Sequence, residues 1–155
     1  MDHLEQFNRQ VLLCQNDVYT LAWYLLEDET EAQAVMQEAV EAAYRCFSTS
    51  QANCRLRIMK QVVDQYRKRK RPAQSTTLPC PFPSFHFIAE HERLVVVLID
   101  MIGLDYADTA AILGCSRKEI RCLLSQARWK MTVQMKFHNP CTETIENELQ
   151  TKKST

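Results

Sequence analysis

The sequence predicts an all-α fold made of two small helical domains joined by a proline-rich linker. Glycine occurs only twice in 155 residues, which disfavours turn-rich β architecture and glycine-rich nucleotide-binding loops. Apolar residues recur at helical spacing in several long segments, and 46% of the chain is hydrophobic, which suffices for a buried core. Four prolines fall within residues 72–83 and interrupt the helical pattern there.

The N-terminal half contains three predicted helices. The first carries an apolar stripe from Leu4 to Leu25, with a break expected near Asn16. The second is expected to begin at a capping box formed by Thr30 and Gln33. A polar loop, residues 48–53, separates it from the third helix, whose apolar side carries Leu56, Met59, Val62, Val63 and Tyr66.

Charge is distributed unevenly although the formal net charge of the chain is zero. Residues 1–53 are acidic, with only Arg9 and Arg45 as cations, whereas residues 54–71 contain a single acidic residue, Asp64. This pattern favours a protein-binding face followed by a polyanion-binding face. The cations of the second segment are Arg55, Arg57, Lys60, Arg67, Lys68, Arg69, Lys70 and Arg71.

The C-terminal half is predicted to begin near Ala89 with a helix that ends at Gly103, followed by a helix-turn-helix over residues 106–125. Asp105 is placed to cap its first helix, and Ser116 with Glu119 fits a capping box for its second. Gly114 falls in the turn, where a left-handed backbone is easiest without a Cβ. The second helix is expected to continue to about residue 137.

The spacing within this segment indicates DNA binding. Ala110 is small enough for the second helix to cross the first closely, and Ile120 is positioned to pack the second helix onto it. Arg117, Lys118 and Arg121 then project from the first turns after Ser116, the part of such motifs that enters the major groove. The alternative is an ordinary helical hairpin in a helical core.

Other functional classes are disfavoured. The N-terminus is polar, unlike a signal peptide, and the longest aliphatic run, Leu94–Ile99, is too short to span a bilayer. The seven cysteines are scattered without a C-x-x-C motif, which predicts a reduced, cytoplasmic protein with Cys14, Cys54 and Cys122 on or near apolar helix faces. No cofactor, metal or catalytic set is predicted, and a metal site of Cys80, His86 and His91 is the disfavoured alternative.

Four segments resemble bacterial extracytoplasmic-function sigma factors of the sigma-70 family. Residues 17–26 (DVYTLAWYLL) and 31–38 (EAQAVMQE) are similar to the family's D-L-Y-R-L-A-x-x-L-L and D-A-E-D-L-V-Q-E segments. Residues 62–69 (VVDQYRKR) resemble the end of its DNA-facing helix, and residues 103–116 follow its G-L-S-Y-x-E-I-A-x-I-L-G-I-S pattern. The resemblance covers most of the chain up to about residue 136.

The resemblance implies a transcription initiation factor and not an enzyme. Residues 1–71 would bind core RNA polymerase and the minus-ten promoter element, 72–88 would be the linker, 89–138 would read the minus-thirty-five element, and 139–155 would be a flexible tail. The basic residues at positions 55–71 would contact DNA phosphates, whereas Arg117, Lys118 and Arg121 would read the minus-thirty-five element. The family's polymerase-docking face corresponds here to Val35, Gln37, Glu38 and Glu41, and an anti-sigma protein often masks such surfaces.

The sequence departs from the family pattern at several positions and leaves two alternatives open. Gln33 and Ala34 replace an acidic pair, Lys60 or Gln61 replaces an asparagine, and Leu123 and Gln126 stand where arginines are common. The first alternative is a stand-alone helix-turn-helix regulator. The second is a sigma-like adaptor that has lost DNA reading.

Overall fold

The computed structural model describes residues 2–47, 53–69 and 87–138 of the chain. Within these ranges the chain forms helices and no strand, which confirms the all-α prediction. Several parts of the predictions lie outside the described residues. They are most of the predicted linker, residues 48–52 of the polar loop, the 139–155 tail, and Lys70, Arg71, Cys80 and His86. The elements are α1 (His3–Leu26), α2 (Glu29–Arg45), α3 (Cys54–Lys68), α4 (Glu90–Val96), a π-helical turn (Val97–Met101), α5 (Tyr106–Leu113) and α6 (Arg117–His138).

Helix α1 runs without interruption, so the break expected near Asn16 is wrong. Asn16 points to solvent, while Cys14 and Val18 continue the buried stripe on the other side of the helix. A single polar residue on the exposed face does not disturb the backbone hydrogen bonds of a helix. The helix ends at Glu27, whose φ of 54° is left-handed and whose N–H donates to the Trp23 carbonyl at 2.8 Å.

Helix α2 begins one residue before Thr30, which corrects the predicted cap. The carboxylate of Asp28 accepts a hydrogen bond from the Glu31 N–H at 2.8 Å, and Asp28 is the N-cap. The chain offers two overlapping capping signals here, and the stronger acceptor is used. The buried face of α2 consists of small residues, which let neighbouring helices approach closely: Ala32, Val35, Ala39 and Ala43.

The larger hydrophobic core joins the two halves of the chain. It contains the buried faces of α1, α2 and α3 together with five residues of the C-terminal half: Leu94, Val97, Leu98, Leu104 and Ile112. A smaller core, formed by Ile88, Val95, Val96, Ile120, Leu124 and Ala127, holds α6 against α4. The helices that precede α6 therefore contact α6 on one side and the N-terminal bundle on the other. The domain boundaries at residues 71 and 89 stay a prediction.

The cysteines follow the predicted pattern in part. Cys14 and Cys54 are buried in the larger core as expected. Cys122 is exposed, because the buried face of α6 runs through Ile120, Leu124 and Ala127 and places position 122 on the opposite side. That part of the prediction was wrong.

Candidate nucleic-acid interface

Helix α5 has the beginning and the end that the sequence predicts. Asp105 accepts a hydrogen bond from the Asp108 N–H at 2.7 Å, which caps the first turn. Gly114 has a φ of 70°, in the left-handed region, and its N–H donates to the Ala110 carbonyl at 2.9 Å. These local interactions confirm the cap and the turn of the predicted helix-turn-helix.

The predicted capping box of α6 is also present. The Glu119 N–H donates to the Ser116 hydroxyl at 3.2 Å, and the Glu119 carboxylate accepts from the Ser116 N–H at 2.7 Å. A hydrogen bond from the Ser116 amide, and a smaller contribution from the Ser116 hydroxyl, hold the pKa of Glu119 below its ordinary value. Ser116 therefore serves as the cap that fixes where the second helix starts.

Packing and two ion pairs position α6 on the preceding helices. Ile120 is completely buried in the smaller core, and Ala110 lies against the same cluster. Lys130 donates to Glu92 at 2.8 Å, and Arg128 donates to Asp100 at 3.1 Å. Burial alone would raise the pKa of Glu92, but hydrogen bonds from Lys130 and the Ala89 N–H lower it overall.

The first turns of α6 present the expected cations to solvent. Arg117, Lys118 and Arg121 are all exposed, while Ile120 between them points into the core. A helix that is capped at Ser116 and anchored at Ile120 therefore directs three positive side chains outward from its N-terminal end. This arrangement is suited to a phosphate backbone or to base edges in a major groove.

The cations of α3 fall into two groups, those exposed to solvent and those that contact the protein itself. Lys60, Arg67 and Lys68 are exposed. The remaining described arginines contact the protein itself: Arg55 donates to Asp17 at 2.9 Å, and Arg57 donates to the Cys46 carbonyl. Sequence reasoning grouped all of these as phosphate contacts, because partners distant along the chain leave no local signal.

Arg69, the C-cap residue of α3, is the third arginine of this segment that contacts the protein itself. It lies at the end of the helix, and its guanidinium reaches across to α2, where it pairs with Glu31 and, at 2.9 Å, with Glu38. Its side chain is 27% exposed, whereas its neighbours Arg67 and Lys68 are open to solvent. Arg69 therefore joins two helices and is not directed outward like the cations beside it.

The face of α2 expected to dock on polymerase is polar except for one residue. Gln37, Glu38 and Glu41 are exposed, and Gln37 donates to Glu41 at 3.1 Å. Val35 is completely buried in the larger core, so its side chain is unavailable to a partner. The predicted docking set is therefore corrected at Val35, because the prediction assigned residues from different sides of the helix to one surface.

An aromatic cluster that the sequence analysis did not identify lies at the C-terminal end of α2. The Phe47 ring is 5.0 Å from that of Phe7 and 4.8 Å from that of His3, and Tyr44 lies 5.1 Å from Phe7. The members come from opposite ends of α1 and α2, which only the antiparallel packing brings together. The cluster fixes the end of α2 from which residues 48–52 depart.

Two solved structures are similar to this chain over most of its length. The sigma factor RpoE from Bartonella quintana, in complex with the anti-sigma factor NepR, aligns with a TM-score of 0.69 at 18% identity, covering 87% of this chain and 99% of that chain. CnrH, in complex with the cytosolic domain of CnrY, aligns with a TM-score of 0.77 at 20% identity, covering 88% of this chain and 91% of that chain. Both are extracytoplasmic-function sigma factors.

The chain has the fold of an extracytoplasmic-function sigma factor. No protein-family profile matches the sequence, and no curated protein matches it either. At 18–20% identity the sigma-factor fold has therefore been retained in a strongly divergent sequence.

Two further features of this sigma-factor fold concern the described residues alone. No helix in this part of the chain is both long and apolar enough to cross a membrane. Across residues 2–47, 53–69 and 87–138, no three His, Cys, Asp or Glu side chains are grouped so as to hold a metal ion. His91, one of the three residues weighed for a metal site, is exposed.

Proposed function

We propose that this chain is an extracytoplasmic-function-type sigma factor that binds core RNA polymerase and directs promoter recognition. The observation that carries the proposal is a capped and anchored helix-turn-helix, with three cations exposed at the start of α6, within a sigma-factor fold. The fold alone is compatible with several roles. The exposed cations add the physical requirement for holding DNA.

In this proposal α6 reads the minus-thirty-five element. Arg117 and Arg121 contact base edges, and Lys118 contacts phosphate, while Ser116 holds the helix start in register. Arginine is the residue best suited to bidentate contact with guanine in the major groove. The side chains are already directed outward, so binding requires no rearrangement within the helix-turn-helix.

Helix α3 meets the minus-ten element through a smaller set of cations than the sequence implied. Lys60, Arg67 and Lys68 supply the phosphate contacts among the described residues, with Lys70 and Arg71 continuing the same basic segment. Arg55 and Arg57 stabilise the bundle through their protein partners instead. Neutralising phosphates releases condensed counterions, so we expect affinity to fall steeply with salt.

Polymerase docking is assigned to the exposed polar face of α2, namely Gln37, Glu38 and Glu41. Core polymerase and promoter DNA are the partners, and the activity belongs in the cytoplasm, where both are found. An anti-sigma protein is the proposed regulator, because the RpoE and CnrH structures are complexes with NepR and with the cytosolic domain of CnrY.

The proposal is tested with the full chain, purified core polymerase and a library of promoter fragments. We expect the chain to be retained on core polymerase and to produce run-off transcripts from a defined subset of fragments. Specific duplex binding without polymerase association would replace the proposal with a stand-alone regulator. Loss of both activities, with negligible DNA affinity at low salt, would indicate a sigma-like adaptor.

A further inference from the structure

Arg69 differs from the other cations at the end of α3. Its N–H caps the helix by donating to the carbonyls of Gln65 at 3.1 Å and Tyr66 at 3.3 Å. Its guanidinium crosses to α2, where one nitrogen donates to Glu31 and the other to Glu38 Oε1 at 2.9 Å. The fork of an arginine suits this bridge between two carboxylates, whereas a single ammonium lacks its planar geometry.

The two carboxylates that Arg69 contacts lie on the side of α2 that includes the proposed docking face. Glu38 is 49% exposed, and the pair uses one of its two oxygens, so the other remains for a partner. The other two residues of that face are also joined, by the hydrogen bond from Gln37 to Glu41. All three docking side chains therefore have intramolecular contacts that restrict their rotamers.

We infer that Arg69 is a positioning residue for polymerase docking, acting through Glu38, and is not a DNA contact. This inference rests on the proposed function, since it concerns how the α2 face meets polymerase. Glu38 held by Arg69 has less rotamer freedom to lose on binding. Ordering one such side chain contributes an effect of about threefold to tenfold on affinity.

The opposite possibility is that Arg69 masks Glu38 from a partner, and the geometry does not favour it. A masked carboxylate would be largely covered and would use both oxygens in the intramolecular pair. Here about half of the Glu38 side chain is accessible, and Arg69 shares its charge between two acidic residues. Removing Arg69 should therefore weaken docking by freeing Glu38 and not strengthen it by uncovering a charge.

The first test measures the affinity of the full chain for core polymerase, without DNA, by fluorescence anisotropy. Arg69→Ala is expected to lower the affinity about threefold to tenfold, and Arg69→Lys to lie between this variant and the wild type. Arg55→Ala is the matched control, because it removes an ion pair between α1 and α3 that involves no docking residue. It should leave the affinity for core polymerase unchanged.

The second test separates positioning from a structural role by a double-mutant cycle. If Arg69 acts through Glu38, then Arg69→Ala has no further effect on core affinity in a chain that already carries Glu38→Ala. Full additivity of the two substitutions would overturn the inference. Arg69→Lys retains the charge and serves the same cycle if Arg69→Ala does not fold.

The remaining outcomes are distinguishable. If the wild-type chain does not bind core polymerase, the proposed function fails and the inference falls with it. If the wild type binds and Arg69→Ala binds equally well or more tightly, only the positioning role is overturned. If the salt dependence of duplex binding becomes shallower in Arg69→Ala while core affinity stays at the wild-type level, Arg69 is a phosphate contact after all.

Discussion

Thr109 buries a hydroxyl group without satisfying it. The side chain is completely inaccessible in α5, and its Oγ1 has no hydrogen-bond partner among the residues that the structure describes. Ile112, which belongs to the larger core, follows three residues later and thus lies on the same side of the helix. A buried polar group without a partner costs about 1–3 kcal/mol, so this position reduces the stability of the helix-turn-helix.

Replacing Thr109 by valine is predicted to stabilise the protein by about 1 kcal/mol. Valine has nearly the same shape and removes the unsatisfied hydroxyl, and the change is measured as the free energy of unfolding in urea. Thr109→Ser keeps the hydroxyl and loses a methyl group, so it should destabilise the protein. A loss of stability in Thr109→Val would mean that the hydroxyl has a hydrogen-bond partner in solution.

Cys14 is predicted to make stability depend on alkaline pH. Burial, with a smaller contribution from nearby Cys54, raises the pKa of its thiol from the ordinary 9.0 to about 11. The folded state thus favours the neutral thiol. The contribution of the neutral Cys14 thiol to the free energy of unfolding is complete below pH 9 and is lost as pH rises toward 11. The effect is on the order of 2 kcal/mol.

The measurement is the free energy of unfolding across this range of pH. Cys14→Ala should show a flatter decline than the wild type, because the alanine has no proton to lose. Val18→Ala is the control, since it removes buried volume from the same helix without removing a titrating group. Parallel curves for Cys14→Ala and the wild type would contradict the prediction.

At the scale of an element, the turn between α5 and α6 depends on Gly114. Its φ of 70° is unfavourable for residues with a side chain, but no atom of the described residues lies within 4 Å of where a Cβ would be. Gly114→Ala is therefore predicted to cost about 1 kcal/mol through backbone strain alone. Gly114→Asn should cost less, since asparagine tolerates this conformation. Thermal unfolding compares the two, and a much larger loss in Gly114→Ala would reveal a steric clash.

The start of α6 carries the prediction for DNA recognition. Arg117→Ala combined with Arg121→Ala should relax sequence preference at the upstream element, since good base contacts contribute roughly 1–3 kcal/mol each. Binding of the polymerase complex to a library of upstream sequences measures this. Arg9→Ala with Arg45→Ala removes the same charge from exposed sites elsewhere and should preserve the preference. An equal loss on every sequence would show that Arg117 and Arg121 contact only phosphate.

Elements defined by local interactions were predicted well from the sequence. The caps at Asp105 and Ser116 each involve a partner three residues away, so a short motif contains the whole interaction. The start of α2 was assigned to Thr30 because two capping signals overlap, and a pattern does not rank them. The left-handed end of α1 at Glu27 has no glycine to signal it.

The roles of the α3 arginines were not predictable in the same way. Arg55 pairs with Asp17, 38 residues earlier in the chain, and Arg69 pairs with Glu31 at the same separation. Such partners are set by how α3 crosses α1 and α2, which no local pattern encodes. A cation run therefore predicted the position of a charged surface but not which of its members contact solvent.

At the scale of the whole molecule, the N-terminal bundle and the helix-turn-helix are packed together. Cys115, in the turn before α6, is half-buried, and burial raises the pKa of its thiol, with Arg67 on α3 partly opposing this. The cations proposed to contact the two promoter elements, on α3 and at the start of α6, are exposed while the halves are packed together.

The shared core also sets an energetic cost for any separation of the two halves. Leu98, Leu104 and Ile112 are covered by packing that includes the N-terminal bundle, and wetting each such side chain costs about 1.5–3 kcal/mol. Under the proposed function, a polymerase that separated the halves would have to supply that energy from its own contacts. An anti-sigma protein that bound only the packed form would add to the same cost.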